Sequence, residues 1–358
     1  MKYYLYALLL IGVFVACKND APEKKVKNVD ATVLDGKTMG TYYRVTYLSD
    51  EPFDLQGSID SLLKVINLEV STYIDHSTIS IFNKSAKAVS LSYNPITKGN
   101  GAYENKHFLS NFVKAREIYN KSKQFFDPTV MPLVNYWGFG YTEKKAVTAV
   151  DSMKIDSLIQ LVGLDKVSMV RSDAGGNILK LKEGVQLDFS AIAKGYAVDE
   201  VGNLLIKNGI SDFFVDIGGE VLAKGNSPRG DEWMVGINKP KEGAAMNDVQ
   251  TVVPIQNRAI ATSGNYRNFY EIEGVKYSHT INPRTGFPER NTLLSASVFA
   301  DDCTTADAYA TAFMVMGKDR ALRLAAADPT IDAYLIYSDD RGEMKFAYTD
   351  GVKSIFEK

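Results

Sequence analysis

The residues best suited to chemistry lie in Thr304-Thr305-Ala306-Asp307-Ala308-Tyr309-Ala310-Thr311. Asp307 and Thr311 are one helical turn apart and share a helix face. Ala308, Ala310 and Ala312 leave the surroundings uncluttered. A carboxylate and a hydroxyl so placed are hard oxygen donors that suit Mg²⁺, which takes few protein ligands and fills its octahedron with water and substrate phosphate. The same spacing also describes a plain first helical turn in which Asp307 complements the helix dipole. Spacing alone favours that plainer reading.

Other stretches combine small and polar residues. They are Met39-Gly40-Thr41, Phe126-Asp127-Pro128-Thr129, Asp188-Phe189-Ser190-Ala191, Asp216-Ile217-Gly218-Gly219-Glu220, Thr262-Ser263-Gly264 and Ser278-His279-Thr280-Ile281-Asn282-Pro283. Glycine lets a ligand approach the backbone closely, and loops at element ends commonly carry sites. Together the stretches point to a large binding groove, while each alone also reads as a turn. Familiar signatures are excluded. Ala31 to Thr38 spells A-x-x-x-x-G-K-T, which lacks the first glycine of a phosphate-binding loop and does not open a helix. No G-x-G-x-x-G opens a helix, and there is no G-x-S-x-G elbow. His76 reads as a surface residue. One free thiol beside histidines at 76, 107 and 279 makes a poor zinc set.

These stretches need elements to hold them. Tyr42–Tyr47 alternates as a strand. Asp54–Val70 carries Ile59, Leu62, Leu63 and Ile66 at helical spacing, and Phe108, Phe112, Ala115 and Tyr119 repeat the pattern. Ala191–Lys207 predicts a third helix ending near Gly209, and Thr304–Met316 a fourth. Strands are expected at Phe213–Ile217, Trp233–Ile237, Thr251–Ile255, Phe269–Ile272 and Ser295–Phe299. Asp332–Tyr337 and Met344–Tyr348 read as a closing hairpin over Asp339-Asp340-Arg341-Gly342. Strands and helices do not alternate strictly, so the fold class is α+β, mixed sheets with packed helices in a single large domain.

At this point the chain resembles the FAD:protein FMN transferase family, the ApbE-type flavin transferase lipoproteins. The likeness rests on ordered blocks over nearly the whole chain after its N-terminal segment: Met39-Gly40-Thr41; Ser71-Thr72-Tyr73 with Ser77 to Asn83; Phe126-Asp127-Pro128-Thr129 through Trp137-Gly138-Phe139-Gly140; Leu187-Asp188 to Asp199; Ile217-Gly218-Gly219-Glu220; Ala261 to Gly264 with Tyr266-Arg267-Asn268; Tyr277-Ser278-His279 with Pro283-Arg284-Thr285-Gly286; and Thr305-Ala306-Asp307-Ala308 with Thr311. The resemblance reverses the plain reading of Asp307. It implies FAD as substrate, with Met39, Tyr73, Phe125, Phe126, Asp127, Asp188, Lys194 and Ile281 lining its groove. It implies Mg²⁺ held by Asp307, Thr311 and the backbone carbonyl of Ala191. It places His279 near the diphosphate as the candidate catalytic base, with Asp307 as the alternative proton acceptor. The implied partner is an acceptor protein that receives FMN on Thr or Ser, typically a subunit of a membrane electron-transfer complex. Ala310 stands where some members have a further carboxylate, which puts a second ion in doubt. Thr78 stands where many have Glu. Rival readings are a FAD pyrophosphatase yielding FMN and AMP, and a non-catalytic FAD-binding lipoprotein. For each groove residue the plainer reading is core packing or capping.

The first residues speak to location. Lys2 precedes an apolar run from Leu5 to Ala16, of signal-peptide length and short for a membrane span. It ends in Phe14-Val15-Ala16-Cys17, which resembles a bacterial lipoprotein processing site. The expected organisation is a signal peptide over 1–16, an acylated Cys17 and polar tether over 17–30, and a flavin transferase domain over 31–358. Such a chain is exported and lipid-anchored, facing the periplasm or exterior. With Cys17 acylated, only Cys303 remains and no internal disulfide forms. A net charge of −2 gives no general attraction to nucleic acid.

Overall fold

The computed structural model describes residues 31–49, 54–91, 105–142, 149–172, 175–241, 248–265, 269–272 and 275–357. The expected signal peptide, Cys17 and tether lie outside the described residues, as does Tyr266-Arg267-Asn268. In chain order the first elements are β1 (Ala31–Thr38), β2 (Thr41–Leu48), α1 (Gln56–Val70), α2 (Thr78–Lys84), β3 (Ala88–Leu91), α3 (Lys106–Lys121), α4 (Met131–Tyr136) and α5 (Ser152–Ile159). Next come β4 (Val167–Ser172), β5 (Gly175–Lys180), α6 (Ala193–Lys207), β6 (Phe213–Ile217), β7 (Glu220–Lys224), β8 (Trp233–Asn238), β9 (Val249–Ile255) and β10 (Arg258–Gly264). The chain continues with β11 (Phe269–Ile272), β12 (Val275–Ser278), β13 (Leu293–Ala300), α7 (Cys303–Met316), α8 (Lys318–Ala327), β14 (Ile331–Ser338), β15 (Met344–Tyr348) and α9 (Asp350–Phe356).

An eight-stranded sheet in the order β1-β2-β6-β7-β10-β13-β14-β15 organises the fold, and every neighbouring pair in it is antiparallel. Its two faces bury different partners because successive strand residues point to opposite sides. Leu222, Ala259, Ala261, Ala296 and Val298 face the helical core, with Ala197, Val201, Ala308, Ala312 and Phe313 of α6 and α7. Val221, Ala223, Ile260, Phe299 and Ile336 face the β8–β9 hairpin and Val352 of α9. A sheet covered on both sides explains why β13 reads as a nearly continuous apolar run. A third cluster joins Leu133, Trp137, Ile155, Tyr277 and Ile281. The α+β expectation is met, and the strongly periodic elements fall where the sequence predicts them. The sequence does not predict β1, α2, β3, α4, α5, β4, β5, β7, β10, β12, α8 or α9; most of these are short, and the amphipathic α5 and α8 are missed although their apolar residues recur at helical spacing. The stretch resembling a phosphate loop, Ala31–Thr38, is simply strand β1, and His76 is exposed.

Two helices of the helical layer begin on carboxylates that come from elsewhere in the chain. Asp199 of α6 accepts from the backbone N–H of Cys303 and Thr304, each at 2.8 Å, while Asp302 caps α7 from within by accepting from Thr305 N–H at 2.7 Å. Glu69, at the end of α1, accepts the N–H of Phe108 in the first turn of α3 at 2.9 Å. These bonds satisfy donors that no intrahelical carbonyl reaches. Burial pushes the Glu69 carboxyl up to about 7, against the opposing pull of the Phe108, His107 and Asn105 N–H groups. The folded state therefore holds this proton more tightly than the unfolded chain. The group costs nothing below the unfolded value of 4.5, and lowers stability progressively as pH rises from there to about 7. Glu69→Gln is accordingly expected to flatten the loss of stability over that window. The check is the melting temperature of both proteins at steps from about pH 5 to about pH 7.5. Parallel slopes for the two proteins would contradict it.

Candidate active site

Asp307 is reached by building from α6. Gly195, in its first turn, sits against α7 so closely that an added Cβ would lie 2.3 Å from the Cys303 carbonyl oxygen and 2.8 Å from Asp307 Cβ. Only glycine permits this approach. It lets the Gly195 N–H donate to Asp307 Oδ2 at 3.0 Å. As the third residue of α6, Gly195 carries a first-turn N–H that no intrahelical carbonyl reaches, and Asp307 supplies its acceptor. Ala191 lies just before the helix, and among the described residues no backbone N–H donates to its carbonyl.

Charge at the site is concentrated and buried. Lys194 Nζ forms an ion pair with Glu220 at the start of β7. Burial pushes the Asp307 carboxyl up, with Lys194 and the Gly195 N–H pulling the other way. Burial likewise pushes Glu220 up, helped by the field of Asp307 and opposed by Lys194. Burial works against the Lys194 charge, but Glu220 and Asp307 outweigh it and hold the ammonium protonated. Two carboxylates share one ammonium here. Thr311, one turn beyond Asp307, hydrogen-bonds Ser263 Oγ of β10 at 3.2 Å. Hard oxygen donors and a net negative charge fit a magnesium-type ion. Among the described residues no group of three or more His, Cys, Asp and Glu side chains could hold a metal.

The remaining expected residues are spread over several elements and are not all brought to Asp307. Met39, with Gly40, forms the β1–β2 turn with positive φ at both positions, and its side chain packs on the helical core. Tyr73 is exposed, and its hydroxyl is pushed up by burial of the phenol oxygen and by the field of Asp188. The Asp188 carboxylate accepts from Ser190 N–H and Oγ at 2.8 and 2.9 Å, and burial pushes its pKa up. Asp127 is buried and closes a turn, accepting from Thr129 N–H at 2.8 Å and Oγ at 2.6 Å, with its carboxyl pushed by burial to about 6. Phe126 is core. Phe125 lies beneath the guanidinium groups of Arg284 and Arg320, at 4.9 and 5.4 Å from its ring centre. It lines a cavity of about 760 Å³ with Tyr309 and Met316. Those two residues occupy the face of α7 opposite Asp307 and Thr311. Ile281 is buried in the third cluster, and His279 meets Phe139 edge-on with ring centres 6.3 Å apart.

Hydrogen bonds tie the distant blocks together. The segment 185–189 is irregular, so its backbone groups need partners from elsewhere. Asn83 of α2 supplies two, donating from Nδ2 to the Leu187 carbonyl at 2.8 Å and accepting from the Leu187 N–H at 2.7 Å. The Asp188 N–H donates to the Pro128 carbonyl at 2.7 Å. Trp137 Nε1 donates to the Gly286 carbonyl at 2.8 Å. Sequence reasoning gave no role to Asn83, Glu220, Asp199 or Ser263, although each lies inside a quoted block. A buried polar residue in a motif was the available signal.

The ApbE family model matches residues 39–335. This chain belongs to the ApbE family. It is 33% identical to the FAD:protein FMN transferase of Vibrio cholerae over 97% of both chains, and 33% identical to that of Escherichia coli over 88% of this chain and 87% of the relative. Among solved structures, the flavin transferase ApbE from Vibrio cholerae superposes with a TM-score of 0.79 at 32% identity, covering 92% of this chain and all of that one. The apo flavinyl transferase ApbE of Pseudomonas stutzeri does so with a TM-score of 0.78 at 28% identity, covering 92% and 98%.

Asn83→Leu tests the tie beneath Asp188. It leaves the N–H and carbonyl of Leu187 without partners, at a cost of about 1–3 kcal/mol each where they stay buried. The expected outcome is a lower urea midpoint together with weakened flavin binding. Unchanged values for both, measured by denaturation and by flavin fluorescence titration, would show that the tie is dispensable.

Proposed function

We propose that this chain is a FAD:protein FMN transferase, which moves the FMN half of FAD onto a Thr or Ser hydroxyl of a partner protein and releases AMP. The observation that carries this reading is the end-to-end match to curated enzymes of that name, and the buried Asp307 carboxylate, one turn from the Thr311 hydroxyl, supports it. The acceptor oxygen attacks the FMN-side phosphorus of the diphosphate. The bridging P–O bond breaks and AMP departs with the bridging oxygen. Asp307, Thr311 and the Ala191 carbonyl would hold Mg²⁺, which would supply charge neutralisation at the diphosphate.

The chain's own groups do the rest. Gly195 N–H holds Asp307 in place from one side, and Lys194 lies beside it. By resemblance Met39, Tyr73, Phe125, Phe126, Asp127, Asp188, Lys194 and Ile281 line the FAD groove. Phe125 lines a cavity on the face of α7 opposite Asp307, so its part in a groove beside Asp307 is not supported. The exposed Tyr73 ring near Asp188 is the most accessible aromatic face of the set. His279 takes the acceptor's proton, a task suited to an imidazole near neutral pH. Its ring rests edge-on against Phe139. Residues 31–358 act as the catalytic domain. Residues 1–16 are read as a signal peptide, and Cys17 as the acylated residue that anchors the chain at a bacterial membrane through the tether 17–30. The mature protein should therefore sediment with membranes, and Cys17→Ser should release it or stall its maturation.

Chelation should abolish AMP release and added Mg²⁺ restore it, and Asp307→Ala should lose most activity. His279→Ala should lower kcat and kcat/KM together by about 10²-fold or more, with FAD affinity nearly intact. AMP release by Asp307→Ala at the wild-type rate in chelator would reject the metal assignment. Normal turnover by His279→Ala with acceptor present would reject the base. FMN accumulating free, with or without acceptor, would point to hydrolysis.

A further inference from the structure

One buried polar atom at the site has no explanation within the fold. Glu220 is 4% exposed, and its Oε1 pairs with Lys194, yet its Oε2 has no hydrogen-bond partner. Buried carboxylate oxygens without partners are rare and call for a cause, and a bound ion or one of its waters is one such cause. The sheet register shows where this oxygen belongs. Val221 pairs with Ile260 across β7 and β10, so Glu220 lies opposite Ala261 and on the same sheet face. Ser263, two residues further along β10, shares that face and bonds Thr311. Leu222, Ala259 and Ala261 confirm the face by packing into the helical core against α6 and α7. Glu220 therefore rises from the sheet toward the same space that Asp307, Thr311 and Ser263 line, with Lys194 between the two carboxylates.

We propose that Glu220 is a further acidic side chain of the divalent-cation site, with Oε2 directed to the cation or to one of its waters, and that Lys194 balances Glu220 and Asp307 until the cation binds. This rests on the metal assignment in the preceding section and extends it to a residue outside the expected set of Asp307, Thr311 and Ala191. The physical reasoning is charge counting. When both are ionised, Asp307 and Glu220 carry two negative charges against one on Lys194, a state that burial disfavours and that one more positive charge would balance. In a medium of low effective dielectric such an imbalance draws a cation strongly. Mg²⁺ commonly engages one or two carboxylates and keeps several waters, which leaves room for this arrangement.

The test uses Mn²⁺ alone as probe with the FAD-free, full folded domain, so that flavin chemistry does not enter. Binding is followed by calorimetry and by the electron paramagnetic resonance signal of free Mn²⁺. Glu220→Gln keeps the shape and the hydrogen bond to Lys194 while removing the charge, and should weaken Mn²⁺ binding at least tenfold. Glu220→Asp, which keeps the charge, should recover part of that loss. The rise in melting temperature on adding Mn²⁺ should shrink in the same order, because ligand that binds only the folded state stabilises by mass action. Asp307→Asn is the reference. If it loses Mn²⁺ while Glu220→Gln binds as the wild type does, the role of Glu220 is overturned and the metal assignment stands. If both bind normally, the metal assignment itself has failed. If Glu220→Gln and Glu220→Asp lose affinity equally, charge is not what Glu220 contributes, and the proposal is overturned.

Discussion

The contact between α6 and α7 at Gly195 is the constraint on which the site depends. A side chain at that position would collide with backbone, the Cys303 carbonyl, and with Asp307 Cβ. Backbone does not yield as a flexible side chain does, and overpacking of this kind typically costs 1–3 kcal/mol or more. The close approach brings the Gly195 N–H, a first-turn donor with no intrahelical acceptor, to Asp307. A single packing decision thus sets the carboxylate's position at the start of α6, directly after the Ala191 carbonyl to which no described backbone N–H donates.

The rest of the fold protects that arrangement. α7 is almost entirely buried, with the sheet on one side and other helices around it, so Asp307 cannot relax toward solvent. Asp199 ties the start of α7 to the body of α6 through two backbone N–H groups. The same helix pair is therefore joined at Asp199 and at Gly195, which fixes its axial register. Burying Asp307 and Glu220 raises the energy of their charged forms. Lys194 offsets part of this, and the proposed cation would offset more, so that the cost of burial would favour the loaded state.

Legibility in the sequence divides along physical lines. Helices such as α1, α3 and α7 and the β14–β15 hairpin were readable because their apolar spacing or turn chemistry is local. Asp307 and Thr311 were visible as a pair one turn apart, but spacing favoured a plain cap, and only the ordered blocks turned the reading toward a metal. The blocks showed that Asn83, Glu220 and Asp199 stand in motifs without showing why. Their partners lie at Leu187, Lys194 and Cys303, pairings set by tertiary packing that no local pattern encodes. Asp127 was legible as a site residue, yet its own carboxylate is occupied by Thr129 inside a turn. Phe125 and Phe126 are adjacent in sequence and were read together. Both are buried in the helical core, and only the Phe125 ring also lies under two guanidinium groups, on the far side of α7.

The most direct test of the central claim is the intact mass of a candidate acceptor protein after incubation with this chain, FAD and Mg²⁺. The account predicts that the acceptor gains one FMN through a phosphoester at a single Thr or Ser. It predicts an equal amount of AMP, and no gain when that residue is replaced by Ala or when Asp307→Asn is used instead. An acceptor of unchanged mass, together with stoichiometric free FMN and AMP, would contradict transfer and leave hydrolysis as the activity of this site.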